Sequence, residues 1–315
     1  MNNSNPNHSS RAPRIAASSY LNTAPLIWSF IHGSKKTAVE LFTDESPARC
    51  AEMLLAGEVD TALVPVIEYQ RIPDIAVVPE VCVGSREAVR SVVIASKHDE
   101  LKNVRRVALD DSSRTSVALV KIIFREFLGF EPEWQSCRAN LAEMLQHSDA
   151  ALIIGDPAMK IRYGIGSGPA SPSGQPAWGG SSDRIGFRNS TPSGSERIGL
   201  SENELHIFDL ATVWREHTGL GFVFAMWMAR KDDAEGIRTI DFAGARDEGL
   251  AHMDEIVTTY KQQLELSENE LKSYLTENIA FQLDDDLRAG LECFFKLAWK
   301  HELIPKLRSL KMLYE

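Results

Sequence analysis

The sequence predicts an α/β protein of two lobes with a helical C-terminus. Three observations carry this. Short apolar runs of strand type alternate with capped, helix-periodic stretches as far as Met228, helices alone follow Arg230, and 315 residues suffice for two cores of ordinary domain size. A two-lobed chain of this order commonly passes between its lobes twice, so the crossings are placed near Ser96 and at Phe222 to Trp227. The expected organisation is a disordered tail over 1–13, a first lobe of 14–95 plus 228–315, and a second lobe of 96–227. The last helices return to the first lobe.

Arg14 to Ser18 reads as the first strand, and Thr23-Ala24-Pro25 opens a helix with Leu26, Ile27 and Phe30 on one face. Ser46-Pro47 starts a second helix by a cap and a first-turn proline, Ala51, Leu54 and Leu55 form its apolar stripe, and Gly57 ends it. Val59 to Val64, Ser91 to Ser96 and Val104 to Leu109 are strands, and Val117 to Leu128 is a helix stopped by Gly129. Asn140-Leu141-Ala142-Glu143 is a capping-box variant whose helix leads into the strand Ala150 to Ile154. Asp156 and Pro157 then repeat the strand-to-helix plan, as cap and first helical residue.

From Gly164 to Leu200 the pattern dissolves into Gly, Ser and Pro, read as a flexible surface insertion; a partner contact or lid anchored by Trp178 and Phe187 is the alternative. Leu205 to Leu210, a short helix over Val213 to His217, a stop at Gly219 and the strongly apolar strand Phe222 to Trp227 follow. Helices over Asp254 to Leu264 and Leu287 to Trp299, with a capping box at Ser267 to Glu270 between them, complete the chain.

With 34 Lys and Arg against 44 Asp and Glu, the net charge of -10 argues against nonspecific nucleic-acid binding and against an acidic membrane surface. Met1 to Pro13 has no apolar segment of secretory or membrane-spanning type, so a cytoplasmic address is expected. Cys50, Cys82, Cys137 and Cys293 are far apart and lack metal-ligand spacing, so they read as reduced thiols, and neither metal nor cofactor is expected.

The segment Asp110 to Ser116 crowds hydroxyls and one guanidinium onto a strand-to-helix turn. The first amides of a helix have no intrahelical partner and carry partial positive charge, so such a turn suits a carboxylate or phosphate. Ser113, Arg114, Thr115 and Ser116 are the candidate anion ligands; ordinary capping by Ser113 or Thr115, with Arg114 pointing to the surface, is the competing reading.

Three segments go beyond a generic α/β pattern: Ser19 to Leu26, Ser112 to Leu119 and Ile153 to Ala158. Together they resemble the chorismate dehydratase family, and the likeness extends through Gly57 to Pro65, Val89 to Val92 and Thr218 to Ala225. The resemblance implies a fold like that of type II periplasmic binding proteins, two α/β lobes with a ligand cleft between them. It also implies loss of water from chorismate to give 3-[(1-carboxyvinyl)oxy]benzoate, on the futalosine route to menaquinone.

Chorismate carries two carboxylates, a C4 hydroxyl and an enolpyruvyl ether, so donors of hydroxyl and amide type suit its elimination. By resemblance Asn22 is an active-site amide and Ser91 faces the substrate, both as catalytic candidates; an N-cap and a plain strand-end serine are the alternatives. Ser19 and Tyr20 are weaker substrate-binding candidates, because the turn needs polar residues in any case. Asp156 joins them beside its capping role, although a carboxylate aimed into the cleft would repel a dianion; Glu68 fits cleft or surface equally. No motif supplies a general base, and the substrate's own enolpyruvyl carboxylate is the expected one.

Two rival functions remain. The sister enzyme making 1,4-dihydroxy-6-naphthoate shares the fold but uses a His at a second-lobe strand end, where this chain has Gly155-Asp156. A non-catalytic protein that binds a small anion is the other, since a fold does not imply catalysis.

Overall fold

The computed structural model describes residues 11–163, 183–185 and 205–314, and these form two sheets. The first has the order β2-β1-β3-β11-β4, built from β1 (Arg14–Ser18), β2 (Glu40–Asp44), β3 (Thr61–Pro65), β4 (Ile75–Ser85) and β11 (Phe222–Arg230). Here β1 lies parallel to β2 and β3, while β11 runs antiparallel to β3 and β4. The second sheet has the order β7-β6-β8-β5-β10-β9. Its strands are β5 (Val92–Ser96), β6 (Arg106–Asp110), β7 (Glu133–Cys137), β8 (Ala150–Ile154), β9 (Asp183–Ile185) and β10 (Leu205–Asp209). Strands β3, β5 and β8 are buried along their whole length, which is why their sequences are continuous apolar runs rather than alternating ones.

The sheets move both lobe boundaries. Val92–Ser96, placed by sequence with the first lobe, pairs with β8 and β10 inside the second sheet. Phe222 to Trp227, placed with the second lobe, begins β11 between β3 and β4 of the first. A strand buried between neighbours cannot leave its sheet halfway, so the chain changes lobe where the apolar runs stop, at residues 86–91 and 219–221.

Helix ends follow the capping chemistry of the sequence. Ser46 accepts from the Arg49 amide, Asn140 from the Glu143 amide, and Ser267 and Glu270 form a reciprocal capping box. Gly57 and Gly219 close their helices at φ 73° and 71°. The helix expected over 117–128 begins earlier, as Arg114–Ile122, and widens into the π-type turn Ile123–Phe127. Apart from β9, the proposed insertion 164–200 lies outside the described residues, as do Trp178, Phe187 and residues 1–10 of the tail.

The C-terminal helices cover the first sheet, Phe242–Ala251 packing on Ala24–Ile31. Asp285–Lys300 does more than return to that lobe: it touches both β11 and Arg114–Ile122. Phe294 on this helix packs edge-on against Phe222 and against Trp214 of Leu210–Thr218, so one apolar core runs beneath both crossings.

Candidate active site between the lobes

The strand ends of the two sheets meet across a cleft. Its apolar walls are Leu63, Pro65, Val83, Phe224 and Ala225 from the first sheet and Val92 and Ile154 from the second. Its polar lining comes from two turns: Ser18, Tyr20, Asn22 and Thr23 after β1, and Ser113, Thr115 and Ser116 after β6. Pro47 and Gly155 complete the lining, and no ionisable carboxylate, His, Lys or Arg is part of it among the described residues. Such a site offers neutral donors in a largely apolar setting, where each hydrogen bond to an anion is worth more than in water.

Asp110, rather than a cap at Ser113, organises the second turn. Its carboxylate accepts from the Ser112 amide at 3.0 Å and the Ser112 hydroxyl at 2.6 Å, and burial raises its pKa above the ordinary carboxylate value. Ser113 stands at the N-cap position of Arg114–Ile122, but its side chain makes no capping bond. The hydroxyls and first-turn amides at this helix end are therefore grouped on the cleft without a side-chain cap, the arrangement that favours an anion.

Arg114 is a correction to the anion-ligand reading. Its guanidinium reaches across the cleft mouth to Glu52 at 2.8 Å and Glu68 at 3.2 Å, both of the first lobe, and Arg114 is absent from the cleft lining. Glu68 itself is buried and also pairs with Arg71 at 3.0 Å. A guanidinium held by two carboxylates joins the lobes instead of waiting for a ligand. The Thr115 hydroxyl, which accepts from the Ile67 amide at 3.3 Å, adds a second tie at the same place.

Asn22 sits in a 3-10 turn, Leu21–Thr23, and makes no cap for the helix that follows. The Ser18 and Thr23 hydroxyls are 2.9 Å apart, and Thr23 donates to Asn22 Oδ1 at 3.3 Å. With its oxygen engaged, the amide presents its NH2 group elsewhere. Tyr20 lays its ring over Gly155, which at φ 64° has no room for a Cβ, and its hydroxyl faces Ser112. Burial, with Asp110 and Asp156 nearby, pushes that phenol up to about 12.

Three other candidates are placed differently from their sequence reading. Ser19 faces β2: its hydroxyl donates to the Asp44 carbonyl at 3.4 Å, its own carbonyl accepts from Tyr260 at 2.7 Å, and it does not line the cleft. Asp156 neither caps its helix nor lines the cleft; Oδ1 accepts from the Leu21 amide at 3.0 Å, another tie between lobes, and burial pushes its carboxyl up to about 6. Ser91 is fully buried one layer behind the lining, where Tyr274 donates to its Oγ at 2.7 Å and its carbonyl accepts from Gly155 at 2.7 Å. Tyr274 escaped the sequence reading, because it lies among C-terminal helices with no motif around it. Ser18 ends the first strand and Thr23 opens the following helix, and that local role is all their sequence positions announce.

Among the described residues no group of three or more His, Cys, Asp or Glu is placed to hold a metal, and no helix is long and apolar enough to cross a membrane.

Comparison with known proteins agrees with this architecture. Solved structures of similar fold include a protein of Archaeoglobus fulgidus, at TM-score 0.62 and 14% identity over 94% of this chain and all of the other. The periplasmic aliphatic sulphonate binding protein of Escherichia coli is another, at TM-score 0.57 and 16% identity over 95% of this chain and 90% of its own. The fold is thus that of periplasmic binding proteins, with a cleft between two α/β lobes. In sequence, a chorismate dehydratase of Thermus thermophilus is 30% identical over 251 residues, covering 79% of this chain and 83% of that protein. A family model described as menaquinone biosynthesis matches residues 13–168 and 194–300, and the chain belongs to that menaquinone biosynthesis family.

Proposed function

We infer that this protein removes water from chorismate to give 3-[(1-carboxyvinyl)oxy]benzoate. The observation that carries the reading is the character of the cleft: apolar walls, neutral donors and an uncapped helix N-terminus, in a chain 30% identical to a chorismate dehydratase. In this reading the Ser113 to Ser116 turn takes one substrate carboxylate on its amides and hydroxyls, each charge-assisted bond contributing about 1.5–3 kcal/mol. The Asn22 amide, its oxygen already occupied by Thr23, points a donor at the C4 hydroxyl or the second carboxylate.

Elimination breaks the C3–H and C4–O bonds and makes the ring aromatic, so the driving force is the substrate's own and the protein acts on the barrier. Its share is orientation in a closed cleft, exclusion of water and donors placed where negative charge develops. With no basic side chain in the described lining, the enolpyruvyl carboxylate of the substrate takes the C3 proton and passes it to the departing C4 hydroxyl, which leaves as water.

Mixing the purified protein with chorismate tests the reading. The cyclohexadiene absorbance should give way to that of a substituted benzoate, with a product lighter by one water. Saturable binding without spectral change would make the protein a small-anion binder. An analogue lacking the enolpyruvyl carboxylate should bind and stay intact; its dehydration at full rate would assign the base to the protein.

A further inference from the structure

A buried phenol stands behind the cleft, outside its lining. Tyr274 opens the π-type turn Tyr274–Asn278, is 1% exposed, and donates from its hydroxyl to Ser91 Oγ at 2.7 Å. The Asn22 side chain is near enough to influence the ionisation of the same phenol. Groups from three distant segments, the first turn, the first crossing and the C-terminal helices, therefore gather around Tyr274.

We propose that Tyr274 is a positioning residue for the dehydration, fixing the direction in which Ser91 and Asn22 present their protons. The inference rests on the functional reading above. A serine hydroxyl has one proton and two acceptor sites. With the phenol as donor, Ser91 cannot turn its own proton back towards Tyr274, and that proton is left for the cleft side. Asn22 is constrained in the same sense: Thr23 occupies Oδ1, so the NH2 group is turned away from Thr23, with Tyr274 and the cleft as its neighbours. Burial raises the pKa of the phenol, so it keeps the proton that it donates to Ser91.

The backbone around Tyr274 holds the phenol in register with the crossing. Asn278, at the other end of the same turn, donates from Nδ2 to the Ala88 carbonyl at 2.8 Å and accepts from Arg90 at 3.1 Å. The turn thus grips the 86–91 crossing on the residues just before Ser91 as well as on Ser91 itself. A π-type turn interrupts the regular helical ladder, and such interruptions recur at functional sites.

Tyr274→Phe removes the hydroxyl and keeps the ring, so it separates positioning from packing. Steady-state turnover of chorismate should show kcat lowered about 10- to 100-fold with KM within about threefold, the signature of an interaction realised in the transition state. The double variant Ser91→Ala/Tyr274→Phe should lose much less than the product of the two single losses, because Tyr274 acts in large part through the Ser91 hydroxyl. Incorporating 3-fluorotyrosine at position 274, which keeps the hydroxyl, should restore kcat to near wild type, and this variant also covers the case in which Tyr274→Phe folds poorly. Wild-type kcat in folded Tyr274→Phe, fully multiplicative losses in the double variant, or no recovery with 3-fluorotyrosine would overturn the inference while leaving the dehydratase reading intact. Wild-type protein inert towards chorismate would overturn that reading, and this inference with it.

Discussion

Asn22 lies on the cleft with its carbonyl oxygen held by Thr23, which Ser18 holds in turn. An amide so oriented keeps a donor in place at no further entropic cost when ligand arrives. Asn22→Ala should therefore lower kcat about 10²- to 10³-fold while circular dichroism and unfolding midpoint stay near wild type. Wild-type turnover in the folded variant would remove Asn22 from the chemistry. Placement on the cleft was legible in sequence where the neighbours are close in the chain: Tyr20, Asn22 and the hydroxyls of Ser113, Thr115 and Ser116 all line it, and each belongs to a short local turn. Arg114, Ser19 and Asp156 lie off the lining, with partners Glu52 and Glu68, Asp44 and Tyr260, and Leu21. No local pattern announces a partner tens of residues away.

At the scale of elements, the strands hidden from the sequence are β2, β4, β7 and β9, the last inside the stretch 164–200 read as an insertion. Strands β2 and β7 are sheet edges that carry charged or exposed residues, and β4 contains Pro79 and a Glu80 at φ 64° that break its apolar run. Central strands were read correctly because burial on both faces leaves a continuous apolar run. Two elements carry the joint between lobes, and each yields a test. Gly155 bridges β8 to its helix at positive φ, and a Cβ there would stand 2.7 Å from the Tyr20 ring. Gly155→Ala should cost about 1–2 kcal/mol in urea unfolding and raise the KM for chorismate, since Tyr20 must yield its place over the cleft. An unchanged KM would show that Tyr20 does not shape the site. The second joint is the helix N-terminus at Arg114. Arg114→Met and Glu68→Gln, each destabilising alone, should couple by about 1–2 kcal/mol in a double-mutant cycle, because Arg71 still partners Glu68 when Arg114 is gone. Additive losses would reduce the cross-lobe pair to a surface contact.

Over the whole molecule the lobes are drawn together by Arg114 with Glu52 and Glu68, Thr115 with Ile67, Lys160 with the Gln263 carbonyl, and Asp156 with the Leu21 amide. Of these ties only the last rests on a buried carboxyl whose pKa is pushed up. Asp156 accepts one amide in a setting that also raises the phenols of Tyr20, Tyr260 and Tyr274, and burial is the largest cause of its own shift to about 6. A carboxyl whose pKa is higher in the folded chain than in the unfolded one binds its proton more tightly when folded. Its favourable contribution is complete below the unfolded value near 4 and disappears as pH rises through about 6, so at neutral pH the ionised group is a net cost of on the order of 1–3 kcal/mol. Asp156→Asn retains an oxygen to accept from Leu21 and never ionises. Urea unfolding of wild type and variant should therefore give similar stabilities near pH 4, with the variant pulling ahead between about pH 4 and 6 and keeping its advantage at pH 7.5. A difference that stays constant across that range would mean that Asp156 keeps an ordinary carboxylate pKa, and that the joint between the lobes is open to water at Leu21.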